Sequence, residues 1–148
     1  MAIYLDANVI AALLLSEPTS PHVADILRRE EEFVIGDFTS AEVAAVISRR
    51  VRMAVDSNAQ ATSRLEGLDR LKAWAGAAEP LESEDIRLAE RLVRIFDLKL
   101  RAPDAIHAAL CLRRRYALAT FDRGLAQAAR ALGVACINPA ETIGEQKN

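Results

Sequence analysis

The feature that most constrains this chain is Ile3-Tyr4-Leu5, an unbroken apolar run closed by the carboxylate of Asp6. A run without polar alternation suits a strand buried on both faces, as parallel sheets require. Beyond a short turn, Val9-Ile10-Ala11-Ala12-Leu13-Leu14-Leu15 predicts an apolar helix. Asp6 is therefore expected where a buried strand stops and a helix starts. That is the carboxyl edge of the sheet, where open α/β folds bind their ligands.

The remaining chain repeats this grammar. Ser20 and Pro21 are suited to start a helix over residues 22–31, with Val23, Ile26 and Leu27 on one face. His22 at its start is expected to be exposed, and Glu30-Glu31-Glu32 to form a solvated helix end. Phe33-Val34-Ile35 reads as a second strand and Gly36-Asp37-Phe38 as a turn. Thr39 and Glu42 have the spacing of a capping box, so a helix is expected to open there, with Val43, Val46, Ile47 and Val51 as its apolar face. Capping is also the simplest structural account of Glu42.

A further amphipathic helix is expected over residues 57–75, carrying Leu65, Leu68, Leu71 and Trp74. Glu79-Pro80-Leu81-Glu82 is restricted to an edge strand or a loop by its proline. Ser83-Glu84-Asp85 places acids in a first helical turn, followed by an apolar side of Ile86, Leu88, Ala89, Leu92, Val93 and Phe96. Pro103 marks another helix start, with Asp104 in the first turn and His107 one turn on. A single helical histidine of this kind is expected to be packed or hydrogen-bonded rather than a ligand. Tyr116-Ala117-Leu118-Ala119-Thr120-Phe121 reads as a strand that again ends in a carboxylate, Asp122. A helix closing at Gly133 and a last strand, Val134-Ala135-Cys136-Ile137, follow. Asn138-Pro139 stops that strand, and a short helical turn is expected after it.

Strands alternating with helices predict a parallel sheet covered on both faces. Crossover helices run antiparallel to the strands, so strand C-termini and helix N-termini share one edge. Asp6 and Asp122 end strands, and Glu42 and Asp104 open helices. All four are expected at that edge, although Asp6 and Asp122 stand 116 positions apart (122 minus 6). Two carboxylates about 4 Å apart repel by roughly 4 kcal/mol at an effective dielectric near 20. A cluster of them must take up protons or recruit a cation. Oxygen donors of this kind suit Mg²⁺ or Mn²⁺ rather than Zn²⁺.

Composition bounds the rest. The 148 residues are 51% hydrophobic and 27% charged, which suits one globular domain with a substantial core. The domain is expected to span residues 1–143, with a loose tail at 144–148. A net charge of −2 provides no general basic character, so nucleic-acid contact must rest on local clusters. Of 19 basic residues only Lys72, Lys99 and Lys147 are lysine. Arginine suits bidentate phosphate or carboxylate contacts, although a GC-rich genome gives the same bias. Arg49, Arg50 and Arg52, with Arg64 and Arg70, form either a basic rim or a solvated face. Cys111 and Cys136 match no metal-binding spacing and are expected as reduced thiols in a cytoplasmic protein. No secretory leader is visible, and no apolar run approaches the length of a membrane span.

Four short segments together resemble one family. Leu5-Asp6-Ala7-Asn8-Val9, Ser40-Ala41-Glu42-Val43, Pro103-Asp104-Ala105-Ile106-His107-Ala108 and Thr120-Phe121-Asp122-Arg123 stand in the order found in PIN-domain ribonucleases. Within that family the chain is most similar to the small VapC-type toxins of bacterial toxin–antitoxin pairs. The resemblance implies a three-layer α/β/α sandwich around a mostly parallel sheet of about five strands. It implies Mg²⁺- or Mn²⁺-dependent endonuclease action on RNA, with Asp6, Glu42, Asp104 and Asp122 as the acidic metal site. Asn8 and Thr120 fall on polar positions that accompany the site. Arg123, or the Arg49, Arg50 and Arg52 group, would hold the RNA backbone. A homodimer and a small VapB-type antitoxin are the implied partners. The family commonly has Thr or Ser directly after the first Asp. Ala7 stands there instead, removing a hydroxyl but no carboxylate.

Other readings fit less well. A receiver-type phosphoacceptor domain needs a Lys after the last strand, where Asn138-Pro139 stands, and an acid pair after the first strand. An Asp-x-Asp phosphatase would need an acid at Asn8. A non-catalytic binding module of the same fold is expected to lack one or more of the four acids.

Overall fold

The computed structural model describes residues 1–29, 31–76 and 78–141. Four short strands form its sheet: β1 (Ile3–Leu5), β2 (Phe33–Val34), β3 (Ala117–Ala119) and β4 (Cys136–Ile137). Their spatial order is β2-β1-β3-β4 and every pairing is parallel. Ile3 stands beside Phe33 on one side and Ala117 on the other, which makes β1 a central strand. About five strands were expected. Among the described residues, the fifth position is held only by Glu79, which makes one parallel bridge to Gly36. The Glu79 amide donates to the Ile35 carbonyl, and its own carbonyl accepts from Asp37. Pro80 removes the next backbone donor, so the pairing does not extend.

Among the described residues, seven α-helices cover the two faces. The crossover from β1 to β2 contains α1 (Ala7–Leu14) and α2 (Ser20–Leu27). The long connection from β2 to β3 contains α3 (Asp37–Arg52), α4 (Asn58–Ala75), α5 (Ser83–Val93) and α6 (Ala102–Arg114). A single helix, α7 (Arg123–Ala131), returns the chain to β4. Strand alternation divides the core. Ile3 and Leu5 point into a cluster with Val9, Ile10, Val23, Ile26, Val43, Ile47 and Leu68 from α1 to α4. Tyr4 points the other way, among Ala89 and Leu92 of α5, Ala105, Ala108 and Leu110 of α6, and Leu125 of α7. The small residues Ala105, Ala108 and Ala109 of α6 pack in one cluster with Leu118 of β3.

Several local expectations change. The helix expected to open at Thr39 begins at Asp37, capped by Gly36, whose carbonyl accepts from the Ser40 amide at 2.9 Å. Glu42 therefore sits in the second turn and caps nothing, and no Thr39–Glu42 capping box forms. Such boxes occur instead at Ser57 with Gln60 and at Glu82 with Asp85. Helix α2 ends at Leu27, short of residue 31, with Thr19 rather than Ser20 as its cap. His22 is half-buried, not exposed. On α4, Leu68 is buried, but Leu65 and Trp74 remain substantially exposed; Trp74 stacks on Phe33 at 5.6 Å. Helix α5 stops at Val93, and Phe96, expected on its apolar side, lies in a following 3₁₀ turn at 85% exposure. Glu30 and the expected tail at 144–148 lie outside the described residues.

Candidate metal centre

The carboxyl edge of the sheet opens into a cleft of about 820 Å³ lined by Asp6, Glu42, Asp104 and Asp122. Helix geometry places them. Asp6 caps α1 and Asp122 caps α7, each accepting a backbone amide, from Ala7 at 2.6 Å and from Leu125 at 3.0 Å. Asp104 lies in the first turn of α6 and Glu42 in the second turn of α3. Three helix N-termini aim partial positive charge at this edge, which favours anionic groups there.

Asp6 is the most enclosed of the four, at 6% exposure. Besides the Ala7 amide, its Oδ2 accepts from the Thr120 hydroxyl at 2.7 Å. Thr120 is itself a hub. Its Oγ1 accepts from Asn8 Nδ2 at 3.2 Å and from the Asp122 amide at 3.0 Å. Asn8 Oδ1 in turn accepts from the Phe121 amide at 3.2 Å. The two accompanying polar residues thus tie β1 to the end of β3 and fix two of the acids relative to each other.

Burial raises the Asp6 carboxyl above the usual range, against the lowering influence of His107, Thr120 and the Ala7 amide. Asp104 is raised as well, by burial first and then by the charge of Asp122. Both shifts say that the ionised forms are held at a cost, and a cation placed among them would offset that cost. The donor set fits such an ion. Ligand atoms of Asp6, Glu42 and His107 lie within 4.8 Å of one another. The carboxylate oxygens suit a hard divalent cation, with the His107 ring at the inner wall bonded to Glu42; Asp104 and Asp122 line the same cleft but are not part of that converging set.

His107 is more deeply involved than its sequence context foretold. It is 1% exposed, its Nε2 hydrogen-bonds Glu42 Oε1, and Asp6 Oδ1 lies 3.4 Å away. Its position one helical turn after Asp104 was the available signal, because residues three apart share a helix face. Tyr4 and Thr39 also reach this inner wall from β1 and α3. Burial opposes charge on the His107 ring, but the Glu42 bond and the charges of Asp6 and Glu42 outweigh it and raise the ring above its ordinary value.

The arginines divide. Arg49 and Arg52 line the cleft together with Arg101, which also approaches Asp104 at 3.4 Å. Arg101 was not singled out from sequence. Arg50 turns away to Asp56, with Nε 2.5 Å from Oδ2, and Arg64 joins the same carboxylate. Those two arginines brace α3 against α4. Arg123 is exposed and is not among the lining residues. Ala7, Ala11, Leu15, Ala45, Val46 and Phe121 provide apolar wall between the acids and the basic rim.

With this geometry in hand, comparison with known proteins is direct. At the level of sequence, no curated protein matches the chain. Solved structures do. The FitAcB structure from Neisseria gonorrhoeae superposes with a TM-score of 0.73 at 23% identity, over 93% of this chain and 98% of that one. VapBC2 from Rickettsia felis, bound to a DNA fragment from its promoter, gives 0.68 at 14% identity, over 93% and 98%. Mycobacterium tuberculosis VapC20, a toxin that cleaves the sarcin-ricin loop, gives 0.66 at 17%, over 85% and 94%. These likenesses establish the fold. The family model for the PIN domain matches residues 3–131, and the chain belongs to the PIN domain family.

Proposed function

We propose that this protein is a metal-dependent endoribonuclease that hydrolyses RNA phosphodiesters at the four-carboxylate cleft, and that it acts as the toxin of a toxin–antitoxin pair. The observation that carries this reading is the meeting of Asp6, Glu42, Asp104 and Asp122 in one cleft, from positions spread along most of the chain. The similarity to a toxin–antitoxin complex from Klebsiella pneumoniae and to VapC20, a toxin that cleaves the sarcin-ricin loop, supports the biological role.

In this mechanism Asp6 and Asp104 would hold Mg²⁺ or Mn²⁺ directly, with Glu42 and Asp122 completing the acidic set. When bound, the cation supplies acidified water and charge stabilisation at phosphorus. The protein does the rest. Thr120 and Asn8 hold Asp6 and Asp122 in register. Arg49, Arg52 and Arg101 draw the phosphate backbone to the cleft. Phe121 and the apolar wall receive an unstacked base, which favours single-stranded or loop RNA over a regular duplex.

The partners are a small VapB-type antitoxin covering the cleft and a second copy of the chain. For the homodimer, the supporting feature is the apolar surface of Ile86, Val93, Ile95 and Phe96, all at least 36% exposed. A cytoplasmic location accords with the free cysteines Cys111 and Cys136, and no helix among the described residues is long and apolar enough to cross a membrane. The test is cleavage of defined RNA by purified protein with Mg²⁺, with Mn²⁺ and with EDTA, alongside Asp6→Asn and Asp104→Asn. Metal-dependent cleavage abolished by both substitutions is expected. Tight RNA binding without cleavage under any metal would favour a binding module instead.

A further inference from the structure

Each carboxylate of the cleft has its own holder, and comparing the holders singles out Glu42. Asp6 is fixed by the Ala7 amide and Thr120, and Asp122 by its capping bond to Leu125. Asp104 has Arg101. Glu42 carries the longest of the four stems and its side chain is 30% exposed. Its partner is the opposite in every respect. His107 is 1% exposed and its ring lies between Phe38, at 5.1 Å, and Tyr4, at 5.6 Å.

Both ring nitrogens of His107 are engaged. Nδ1 lies 3.0 Å from the Tyr4 hydroxyl, which accepts from Thr39 Oγ1 at 2.8 Å. Thr39 Oγ1 also reaches the Leu5 carbonyl at 3.3 Å, so the Tyr4 hydroxyl is tied to β1 and α3 and its bond to Nδ1 fixes the plane of the His107 ring. The Glu42 carboxylate is the acceptor on the other side of the ring, so the proton of that bond belongs to Nε2. Tyr4 and Thr39 are both fully buried. Gly36 makes the room: a Cβ there would stand 2.8 Å from the Tyr4 oxygen.

We infer that His107 is a positioning residue that aims the Glu42 carboxylate into the cation site, with Tyr4 and Thr39 holding the ring so that Nε2 faces it. The inference rests on the reading of Glu42 as a metal-holding group. Its cost in sequence terms is a buried Tyr–Thr–His chain that a purely structural core would fill with aliphatic residues.

Two measurements test it without recourse to RNA cleavage. Nitrogen-15 NMR of the metal-free wild-type protein reads the protonation of each His107 ring nitrogen. A proton on Nε2 is expected, and an unprotonated Nε2 overturns the inference. The second is Mn²⁺ binding followed by EPR. Removing an outer partner of a metal ligand weakens affinity about 10- to 100-fold. His107→Leu is expected to weaken Mn²⁺ binding within that range. His107→Gln, which retains a donor at the same reach, is expected to recover most of the loss. Tyr4→Phe, which deletes one oxygen and keeps the ring stack, is expected to weaken binding by a smaller factor and covers the case in which His107→Leu does not fold. Wild-type affinity in both His107→Leu and Tyr4→Phe would overturn the inference, as would a nitrogen directly coordinated to Mn²⁺, which would make His107 a ligand. Absence of Mn²⁺ binding in the wild type would instead remove the metal site itself, and with it both readings.

Discussion

Replacing Thr120 with valine probes how the site is held together, because it changes one oxygen to a methyl at a fully buried position. The hydroxyl donates to Asp6 Oδ2 at 2.7 Å and accepts from Asn8 Nδ2 and the Asp122 amide. The bond to a buried carboxylate is charge-assisted, and such bonds contribute about 1.5–3 kcal/mol. Asn8 and Asp122 are only partly buried, so water can replace some of what they lose, and each contributes about 0.5–1 kcal/mol. The new methyl returns about 0.8 kcal/mol of apolar transfer. The net is a destabilisation of about 2–4 kcal/mol. Urea unfolding in EDTA, with an unchanged m-value, should report it as a lower midpoint. Thr120→Ser retains all three hydrogen bonds and should cost about 1 kcal/mol for its missing methyl. A Thr120→Val protein within about 0.5 kcal/mol of wild type, or a serine variant as weak as the valine one, would refute the hub assignment.

Four further outcomes are expected. Asp85 is fully buried, bonds Arg113 and Arg114, and accepts from the Glu82 amide. Asp85→Ala should cost about 3 kcal/mol, the lower end for a broken buried pair, because Arg114 retains Glu79; thermal unfolding checks it. Burial pushes the Asp85 carboxyl up, but the bonds from Arg114, the Glu82 amide and Arg113 outweigh this and leave it below the usual range. Its stabilisation is therefore complete above the unfolded carboxylate value and disappears as pH falls through the lower folded value. An acid titration of stability should be shallower in Asp85→Asn than in wild type. Gly36→Ala brings a Cβ against the pinned Tyr4 ring and should destabilise by about 1–3 kcal/mol, as overpacking does, since the backbone at φ −78° accepts alanine readily. Pairing it with Tyr4→Phe should relieve part of that loss in a double-mutant cycle. Finally, Mn²⁺ at a hundredfold excess over Kd should stabilise the fold by about 2.7 kcal/mol in calorimetry, and Asp6→Asn should abolish the effect.

Much of this protein follows from local pattern alone. The apolar runs at Ile3–Leu5 and Ala117–Ala119, each ending near an aspartate, are enough to predict buried parallel strands with acids at their carboxyl ends. Four acids on one edge follow from chain direction, because crossover helices must return antiparallel to the strands they join. What needed the tertiary structure were choices between local partners of similar strength. Thr39 and Glu42 have capping-box spacing, yet Gly36 opens the helix earlier because its residue is fastened to Glu79 across the sheet edge. That contact lies outside any local window. The same holds for the arginines. Arg49, Arg50 and Arg52 are equivalent in sequence, but only packing of α3 on α4 brings Asp56 to Arg50 and leaves the other two facing the cleft. His107 is the sharpest case. Sequence places it one turn after Asp104, whereas its engagement with Glu42 and Tyr4 depends on three elements meeting around one ring. Periodicity reports which face a side chain occupies; only the folded chain decides which distant atoms share that face.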